Sequence, residues 1–228
     1  MSKSFYFSVG PSEVYPDVEH YLKQAYDEGI LSISHRSKRF DALSAETFAL
    51  LHNRLHIPEN YTILFTGSST ECWEILAQSL TKEASTHFYS GAFGEKWFQY
   101  AQKLRPASLG IDIGIEQTPL PENYPLLVAP ELLCLTQNET SNGTQLTNEV
   151  LTAWRKAYPE SLIALDCTSS MAGIRFEWEV ADIWYASVQK CFGLPAGLGV
   201  LVLSPAAVER AKQIGENKHY NSLVSMLK

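Results

Sequence analysis

Short apolar segments alternate with helical segments along most of this chain, and this alternation constrains the fold more than any other feature. The predominantly apolar segments are short enough to be strands and lie at 61–66, 86–89, 131–136, 162–166, 183–187 and 199–203. Helical patterns separate or follow them at 67–80, 91–104, 147–158 and 204–215. Apolar strands that alternate with helices form mostly parallel sheets covered on both faces. The sequence therefore predicts an α/β fold with three layers, α/β/α.

Outside this alternation, the sequence predicts more irregular structure. Two helices are expected at 13–28 and 41–56, before the first strand. Four prolines in 106–125 indicate turns and short strands there. The last segment, 217–228, has only a weak helical pattern and no closing signal.

Charge and cysteine usage exclude several classes of function. A formal net charge of −7 gives no support to binding of nucleic acid or anionic membranes. The four cysteines form no CxxC pair and have no metal-ligand spacing, so we expect free thiols, no metal and a reducing compartment. The N-terminus has no long apolar stretch, and no segment approaches the length of a membrane span. We therefore expect a cytoplasmic protein.

A lysine and an aspartate occupy the ends of two predicted strands. Lys190 follows the strand at 183–187 and precedes a turn rich in glycine and proline, and Asp166 ends the strand at 162–166. Ligands bind at strand ends in α/β sheets, and a lysine there can form a Schiff base. For each residue alone, a bland alternative stands: a solvated lysine that closes a strand, or an aspartate that caps the next helical turn.

Together, the two residues predict a site for pyridoxal phosphate. That cofactor needs a carboxylate that keeps its ring nitrogen protonated and a lysine that holds its aldehyde as an imine. Because one connection and one strand separate Asp166 from Lys190, both should lie at the same edge of the sheet. The pair is more specific than either residue alone.

Motifs along nearly the whole chain resemble those of the class V, fold-type I aminotransferases, most closely the phosphoserine aminotransferases. They follow the family's order, at Phe7-Ser-Val-Gly-Pro11, Ser34-His-Arg-Ser-Lys-Arg-Phe40, Leu64-Phe-Thr-Gly-Ser-Ser-Thr70, Gly91-Ala-Phe-Gly94, Asn138-Glu-Thr140, Asp166-Cys-Thr-Ser-Ser170 and Ser187-Val-Gln-Lys190. The resemblance implies a transaminase of serine biosynthesis that uses pyridoxal phosphate and acts on O-phospho-L-serine and 2-oxoglutarate. Three alternatives stay open: a class V enzyme acting on alanine or serine with glyoxylate or pyruvate, a relative of the cysteine desulfurases, and a non-catalytic module with this fold.

The resemblance also implies roles for individual residues. Lys190 would form the Schiff base and carry a proton between substrate and cofactor, and Asp166 would pair with the pyridine nitrogen. Phe93 would stack on the pyridine, where similar enzymes often have tryptophan. Further contacts, to the cofactor's phosphate, phenolic oxygen or ring, would come from Ser68, Ser69, Thr70, Thr140, Thr168 and Gln189. Helix capping by the Ser/Thr cluster and a core position for Phe93 are the alternatives.

A basic cluster near the N-terminus bears on the substrate. His35 and Arg36 match the family's motif for the substrate phosphate, and an arginine is suited to forked recognition of phosphate or carboxylate. A solvated helix entrance is the alternative.

The resemblance finally implies a domain division. Residues 1–30 would form an N-terminal segment and 31–228 the large, cofactor-binding domain. The family's small C-terminal domain would follow residue 228, together with the arginine for the substrate α-carboxylate and a loop that reaches the neighbouring subunit's cofactor. We therefore expect this chain to be a fragment of a longer enzyme that forms a homodimer.

Overall fold

The computed structural model describes residues 9–116 and 118–228. Its strands are β1 (Thr62–Thr66), β2 (Thr86–Tyr89), β3 (Leu109–Asp112), β4 (Leu132–Thr136), β5 (Asn138–Glu139), β6 (Thr144–Gln145), β7 (Leu162–Asp166), β8 (Ile183–Ser187) and β9 (Gly199–Leu203). Its α-helices are α1 (Asp17–Asp27), α2 (Lys38–Leu55), α3 (Ser69–Leu80), α4 (Ala92–Leu104), α5 (Asn148–Ala157), α6 (Pro205–Ile214) and α7 (Leu223–Met226). Short 3₁₀ helices occupy Ile30–Ser32, Pro121–Asn123 and Trp178–Val180.

Seven strands form one sheet in the order β1-β9-β8-β7-β4-β2-β3. Strand β9 runs antiparallel to both of its neighbours, and the remaining pairs are parallel. Strand β9 follows β8 without an intervening helix, and only an antiparallel neighbour can be reached by such a direct connection. The predicted mostly parallel sheet is confirmed.

Two hydrophobic clusters cover the two faces of the sheet. In β7, Leu162 and Ala164 pack toward α3, α4, α6 and α7, whereas Ile163 and Leu165 pack toward α5 and the C-terminal half of α2. Side chains alternate between faces along a strand, so Asp166 points to the same face as Leu162 and Ala164. The sheet therefore lies between two helical layers, as predicted, and delivers Asp166 to the side that carries α3 and α4.

The first two helices begin at different residues from those predicted. Helix α1 starts at Asp17 rather than residue 13, because the ring of Pro16 disfavours helical backbone in the residue before it. Helix α2 starts at Lys38 rather than Asp41, because Ser37 caps it by accepting a hydrogen bond from the Phe40 amide at 3.2 Å.

Membrane-spanning helices and metal-binding clusters are both absent from the described residues. None of their helices is long and apolar enough to cross a membrane. They also bring together no group of three or more side chains suited to hold a metal ion. Phe7 and Ser8, which begin the first motif, lie outside the described residues.

Candidate active site

A cavity of about 370 Å³ opens where strands β4, β7 and β8 end. The amino ends of α3 and α4 and the segment at Gly10 and Pro11 complete its wall. Of the eleven residues predicted for the site, eight line it: Ser69, Thr70, Phe93, Thr140, Asp166, Thr168, Gln189 and Lys190. The fold thus gathers at one sheet edge residues that are up to about half the chain apart in sequence.

Asp166 is a buried carboxylate at the end of a central strand, only 4% exposed. Thr168 donates to its Oδ1 twice, from the backbone amide at 2.9 Å and from the hydroxyl at 2.5 Å. Burial raises the pKa of this carboxyl above its ordinary value, the hydrogen bonds from Thr168 and Tyr185 oppose that rise, and the nearby charge of Glu139 adds to it. A further hydrogen-bond donor in the cavity would therefore stabilise the ionised form of Asp166.

Lys190 lies in the turn after β8, against the N-terminal segment. Its ammonium donates to the Val9 carbonyl at 2.9 Å, and Gly10 passes so close that a Cβ there would collide with Nζ. The Ser12 hydroxyl donates to the Lys190 carbonyl at 2.7 Å and the Ser12 amide to that of Gln189 at 2.8 Å. Backbone contacts therefore fix the turn, while the flexible lysine side chain reaches the cavity.

The amino end of α3 faces the cavity, but only part of the predicted cluster of Ser68, Ser69 and Thr70 lines it. Ser69 and Thr70 line the cavity, and the Ser69 amide donates to the Ser187 hydroxyl at 2.8 Å. Ser68 caps the helix by accepting from the Glu71 amide at 3.2 Å and does not line the cavity. The partial positive charge of this helix end favours an anion beside it.

Two polar atoms in the cavity wall have no hydrogen-bond partner among the described residues. They are the Thr136 hydroxyl oxygen and the Gln189 side-chain oxygen, both buried. Buried polar atoms in folded proteins nearly always have a partner. The cavity wall therefore contains two polar atoms whose hydrogen-bonding capacity the described residues leave unused.

Several residues of the site escaped sequence reasoning. The Ser169 hydroxyl accepts from Thr140 and from Asn138, each at 2.9 Å, and so ties the β5 turn to the segment after β7. Glu139, 1% exposed, accepts from the amides of Gly94 at 3.0 Å and Ser141 at 3.0 Å, which holds the first turn of α4 against that hairpin. Ser169, Asn138 and Glu139 all stand inside the motifs quoted above, and that was the only sequence signal for them.

Aromatic residues of α3 and α4 complete the wall. Phe93 is 43% exposed and lines the cavity, as do Trp73 and Tyr100, whose rings lie 5.6 Å apart. Lys96 lines it from the same helix as Phe93. The helical spacing of Phe93, Lys96 and Tyr100 puts the three residues on one side of α4.

The two predicted substrate residues lie elsewhere. His35 and Arg36 are exposed in the turn that leads into α2, and neither lines the cavity. Their assignment to a substrate phosphate stays a prediction, because this cavity by itself does not use them.

Comparison with known proteins identifies relatives. Phosphoserine aminotransferase from Rhodococcus opacus (strain B4) is 30% identical over 217 residues, which cover 92% of this chain and 55% of the relative. The crystal structure of a phosphoserine aminotransferase from Cytophaga hutchinsonii is similar with a TM-score of 0.91 and 36% identity, over 97% of this chain and 63% of that one. This chain thus spans about half the length of the curated relatives it matches.

A more distant structure shares the fold alone. Pyridoxamine-pyruvate aminotransferase from Mesorhizobium loti gives a TM-score of 0.79 at 21% identity, over 96% of this chain and 56% of that one. The sequence model of the aminotransferase class-V family matches residues 8–226, nearly the whole chain. With a lysine and a buried aspartate at adjoining strand ends and a match of this extent, the chain belongs to the class V aminotransferases.

Proposed function

We propose that this chain is the cofactor-binding part of an aminotransferase that moves an amino group from O-phospho-L-serine to 2-oxoglutarate. The observation that carries the proposal is the placement of Asp166 and Lys190 at the ends of adjacent parallel strands, both lining one cavity. Residues 31–228 would form the cofactor-binding domain. The activity is proposed for the complete protein, because the relatives are about twice as long.

The cofactor of the class V aminotransferases is pyridoxal phosphate, and the residues of the cavity fit it. Asp166 offers a buried acceptor for the ring nitrogen, and the amino end of α3 offers backbone amides for the phosphate. The buried oxygens of Thr136 and Gln189 lack partners among the described residues and could bond a polar ligand. Lys190 supplies the amine for covalent attachment.

In the proposed reaction, the bound cofactor supplies an electron sink that makes the substrate α-proton removable. Asp166 would keep a proton on the ring nitrogen of the bound group, because an ionised carboxylate beside that atom favours its protonated form. Lys190 would take the proton from the substrate α-carbon and return it at the other end of the transfer. Phe93 would pack against the bound ring and help to exclude water.

The substrate is the finer part of the proposal. Support for a phosphorylated amino acid comes from relatives whose names specify phosphoserine and from the basic pair His35 and Arg36. The position of that pair outside the cavity favours a second candidate, an alanine or serine donor with glyoxylate or pyruvate as acceptor. We also propose a homodimer, as the resemblance to the family implies. The four free cysteines support a reducing, cytoplasmic compartment.

Amino-donor assays on the complete protein separate the two candidates. We expect transamination of O-phosphoserine with 2-oxoglutarate to exceed that of alanine or serine by at least about tenfold in kcat/KM, a difference of about 1.4 kcal/mol. Arg36→Lys should lower kcat/KM for O-phosphoserine more than for alanine, because a lysine cannot form the forked contact. Equal rates for all donors would remove the phosphate argument and leave the second candidate.

Absorbance tests the cofactor assignment independently of the substrate. Pyridoxal phosphate attached to a lysine absorbs visible light, and we expect this band on addition of the cofactor. Lys190→Ala should abolish it, whereas Lys96→Ala, which removes the other lysine of the cavity, should retain it. A band that survives in Lys190→Ala would contradict the assignment.

A further inference from the structure

A buried tyrosine lies directly beside Asp166. Tyr185 is the residue of β8 that pairs in register with Asp166 of β7, and adjacent parallel strands send paired residues to the same face of the sheet. Tyr185 is fully buried, with 0% exposed surface. The two groups are close enough to act on each other, because the phenol lowers the pKa of Asp166 and the charge of Asp166 raises the pKa of Tyr185.

Trp73 determines which way the phenolic proton points. Its indole nitrogen can only donate, and it donates to the Tyr185 hydroxyl oxygen at 2.9 Å. A phenol that accepts this bond has its own proton available for another acceptor, and the Asp166 carboxylate belongs to the residue that pairs with it in register. Trp97 packs edge-on against Tyr185 with ring centroids 5.2 Å apart, so the phenol ring is held in place.

The hydrogen bonds that Thr168 donates to the Asp166 carboxylate leave room for another donor. Both bonds from Thr168 go to Oδ1 and lie within the loop that follows β7. Tyr185 lies on the neighbouring strand, and Trp73, which donates to it, also lines the cavity from α3. A phenol that donates to a carboxylate stabilises its ionised form, and a second direction of contact would fix its orientation.

We propose that Trp73 and Tyr185 form a two-step donor relay in which Tyr185 is the positioning residue that keeps Asp166 ionised and oriented toward the ring nitrogen of the cofactor. The inference rests on the proposed role of Asp166 toward that nitrogen. Neither Tyr185 nor Trp73 would touch the substrate, and both would act through Asp166.

The first test needs no cofactor. Infrared spectroscopy of the ligand-free protein, with the Asp166 band assigned through Asp166→Asn, follows protonation of this carboxyl as the pH is lowered. In Tyr185→Phe we expect Asp166 to protonate at a pH higher by about one unit, the size of one lost hydrogen bond. Trp73→Phe should shift it in the same direction by less. Tyr124→Phe, which removes a tyrosine hydroxyl bonded to the Ile113 carbonyl, should leave it unchanged.

The second test uses pyridoxal phosphate and its visible absorbance. Tyr185→Phe should weaken the affinity by up to about tenfold in the pH range where its Asp166 is protonated and that of the wild type is not. The two proteins should converge at higher pH. A merely structural defect would lower the affinity equally at every pH.

The outcomes separate the relay from the proposed function. Unchanged protonation of Asp166 in both Tyr185→Phe and Trp73→Phe would overturn the relay, even if the cofactor binds normally. A shifted protonation in a protein that never binds pyridoxal phosphate would support the hydrogen-bonded relay and overturn the cofactor role. Should Tyr185→Phe not fold, Trp73→Phe alone decides, and an unshifted protonation there rejects the proposal.

Discussion

Asp166 carries a charge that its surroundings oppose. Burial of a carboxylate is costly unless hydrogen bonds or an opposite charge compensate it, and here Thr168 supplies two hydrogen bonds. Its pKa is nevertheless raised, with burial as the main cause. Groups with shifted pKa values are often found at functional sites. A protonated ring nitrogen in the cavity would stabilise the ionised form of Asp166.

Replacement of Asp166 by alanine should separate cofactor binding from catalysis. We expect Asp166→Ala to retain part of the pyridoxal phosphate, held through Lys190 and the α3 amides, and to lose transamination by at least about a hundredfold. Asp112→Ala, which removes an exposed carboxylate of β3, is the control. Steady-state rates and cofactor absorbance measure the two quantities, and an unchanged turnover in Asp166→Ala would contradict the assigned role.

His87 makes stability depend on pH. Burial lowers its pKa from 6.5 to about 3, its Nε2 lies 2.8 Å from the Ser85 hydroxyl, and its Nδ1 has no partner among the described residues. Between pH 6.5 and about 3, His87 therefore binds a proton in the unfolded chain but not in the folded chain. The stability contributed by neutral His87 is complete above pH 6.5 and is lost as the pH falls toward 3.

Urea unfolding at a series of pH values measures this effect. The free energy of unfolding should fall by up to about 1.4 kcal/mol per pH unit below 6.5 through His87. His87→Gln should flatten this slope, whereas His20→Gln, at an exposed position, should not. If His87→Gln and the wild type keep the same slope, His87 is not the group that refuses the proton.

At the scale of elements, one serine joins three parts of the molecule. Ser204 begins α6, and its hydroxyl accepts from the Ala207 amide at 3.2 Å and donates to Asp182 at 2.9 Å. Asp182 also accepts from the Ile163 amide at 3.0 Å and pairs with Arg155 of α5. The start of α6 is thereby tied to β7 and to the helix on the opposite face.

Loss of the Ser204 hydroxyl should cost more than loss of an ordinary cap. We expect Ser204→Ala to lower the free energy of unfolding by about 2 kcal/mol, because it removes a helix cap and a buried partner of Asp182. Ser37→Ala removes a cap from α2 without such a partner and should cost about 1 kcal/mol. Denaturant unfolding followed by circular dichroism compares them, and equal losses would show that the Asp182 bond adds nothing.

At the scale of the whole molecule, β9 packs closely against the turn that leads into α3. Gly199 pairs with Thr66 in β1 and with Ser187 in β8. A Cβ on Gly199 would collide with the Thr66 hydroxyl and lie 2.8 Å from the Ser68 carbonyl carbon. The turn that leads into α3 can therefore keep its position only because residue 199 has no side chain.

Gly199→Ala should therefore act on the cofactor site as well as on stability. We expect a loss of about 1–3 kcal/mol in the free energy of unfolding and weaker binding of pyridoxal phosphate, because the Ser68 backbone must move. Gly67→Ala lies in the same turn, but its Cβ would meet only the end of the flexible Glu71 side chain, at 3.2 Å, and should be milder. Thermal unfolding and cofactor titration test the pair, and a stable Gly199→Ala with normal affinity would refute the coupling.

Most of the fold was predictable because its signals are local. Strands β1, β2, β4, β7, β8 and β9 lie within the predicted segments to within about one residue, since buried strands have a composition that neighbouring helices lack. The predicted starts of α1 and α2 were wrong. The helices begin directly after Pro16 and after the capping Ser37, which are also local signals. Local signals also placed Asp166 and Lys190 at strand ends.

The contacts between distant segments could not be predicted in this way. Nothing in the sequence near Tyr185 indicates that Trp73 donates to it, and nothing near Glu139 indicates that α4 begins on its carboxylate. His35 and Arg36 lie in an exposed turn outside the cavity, and their assignment to the substrate stays a prediction.

The layered α/β architecture and the lysine–aspartate pair could thus be inferred from the amino-acid sequence alone, because strand periodicity and strand ends are properties of a few neighbouring residues. The antiparallel course of β9, the shape of the cavity and the residues behind Asp166 are evident only in the folded molecule. Those features depend on which strands and helices meet, and hydrogen bonds between groups over a hundred residues apart, such as that from Trp73 to Tyr185, form only when the sheet has brought them together.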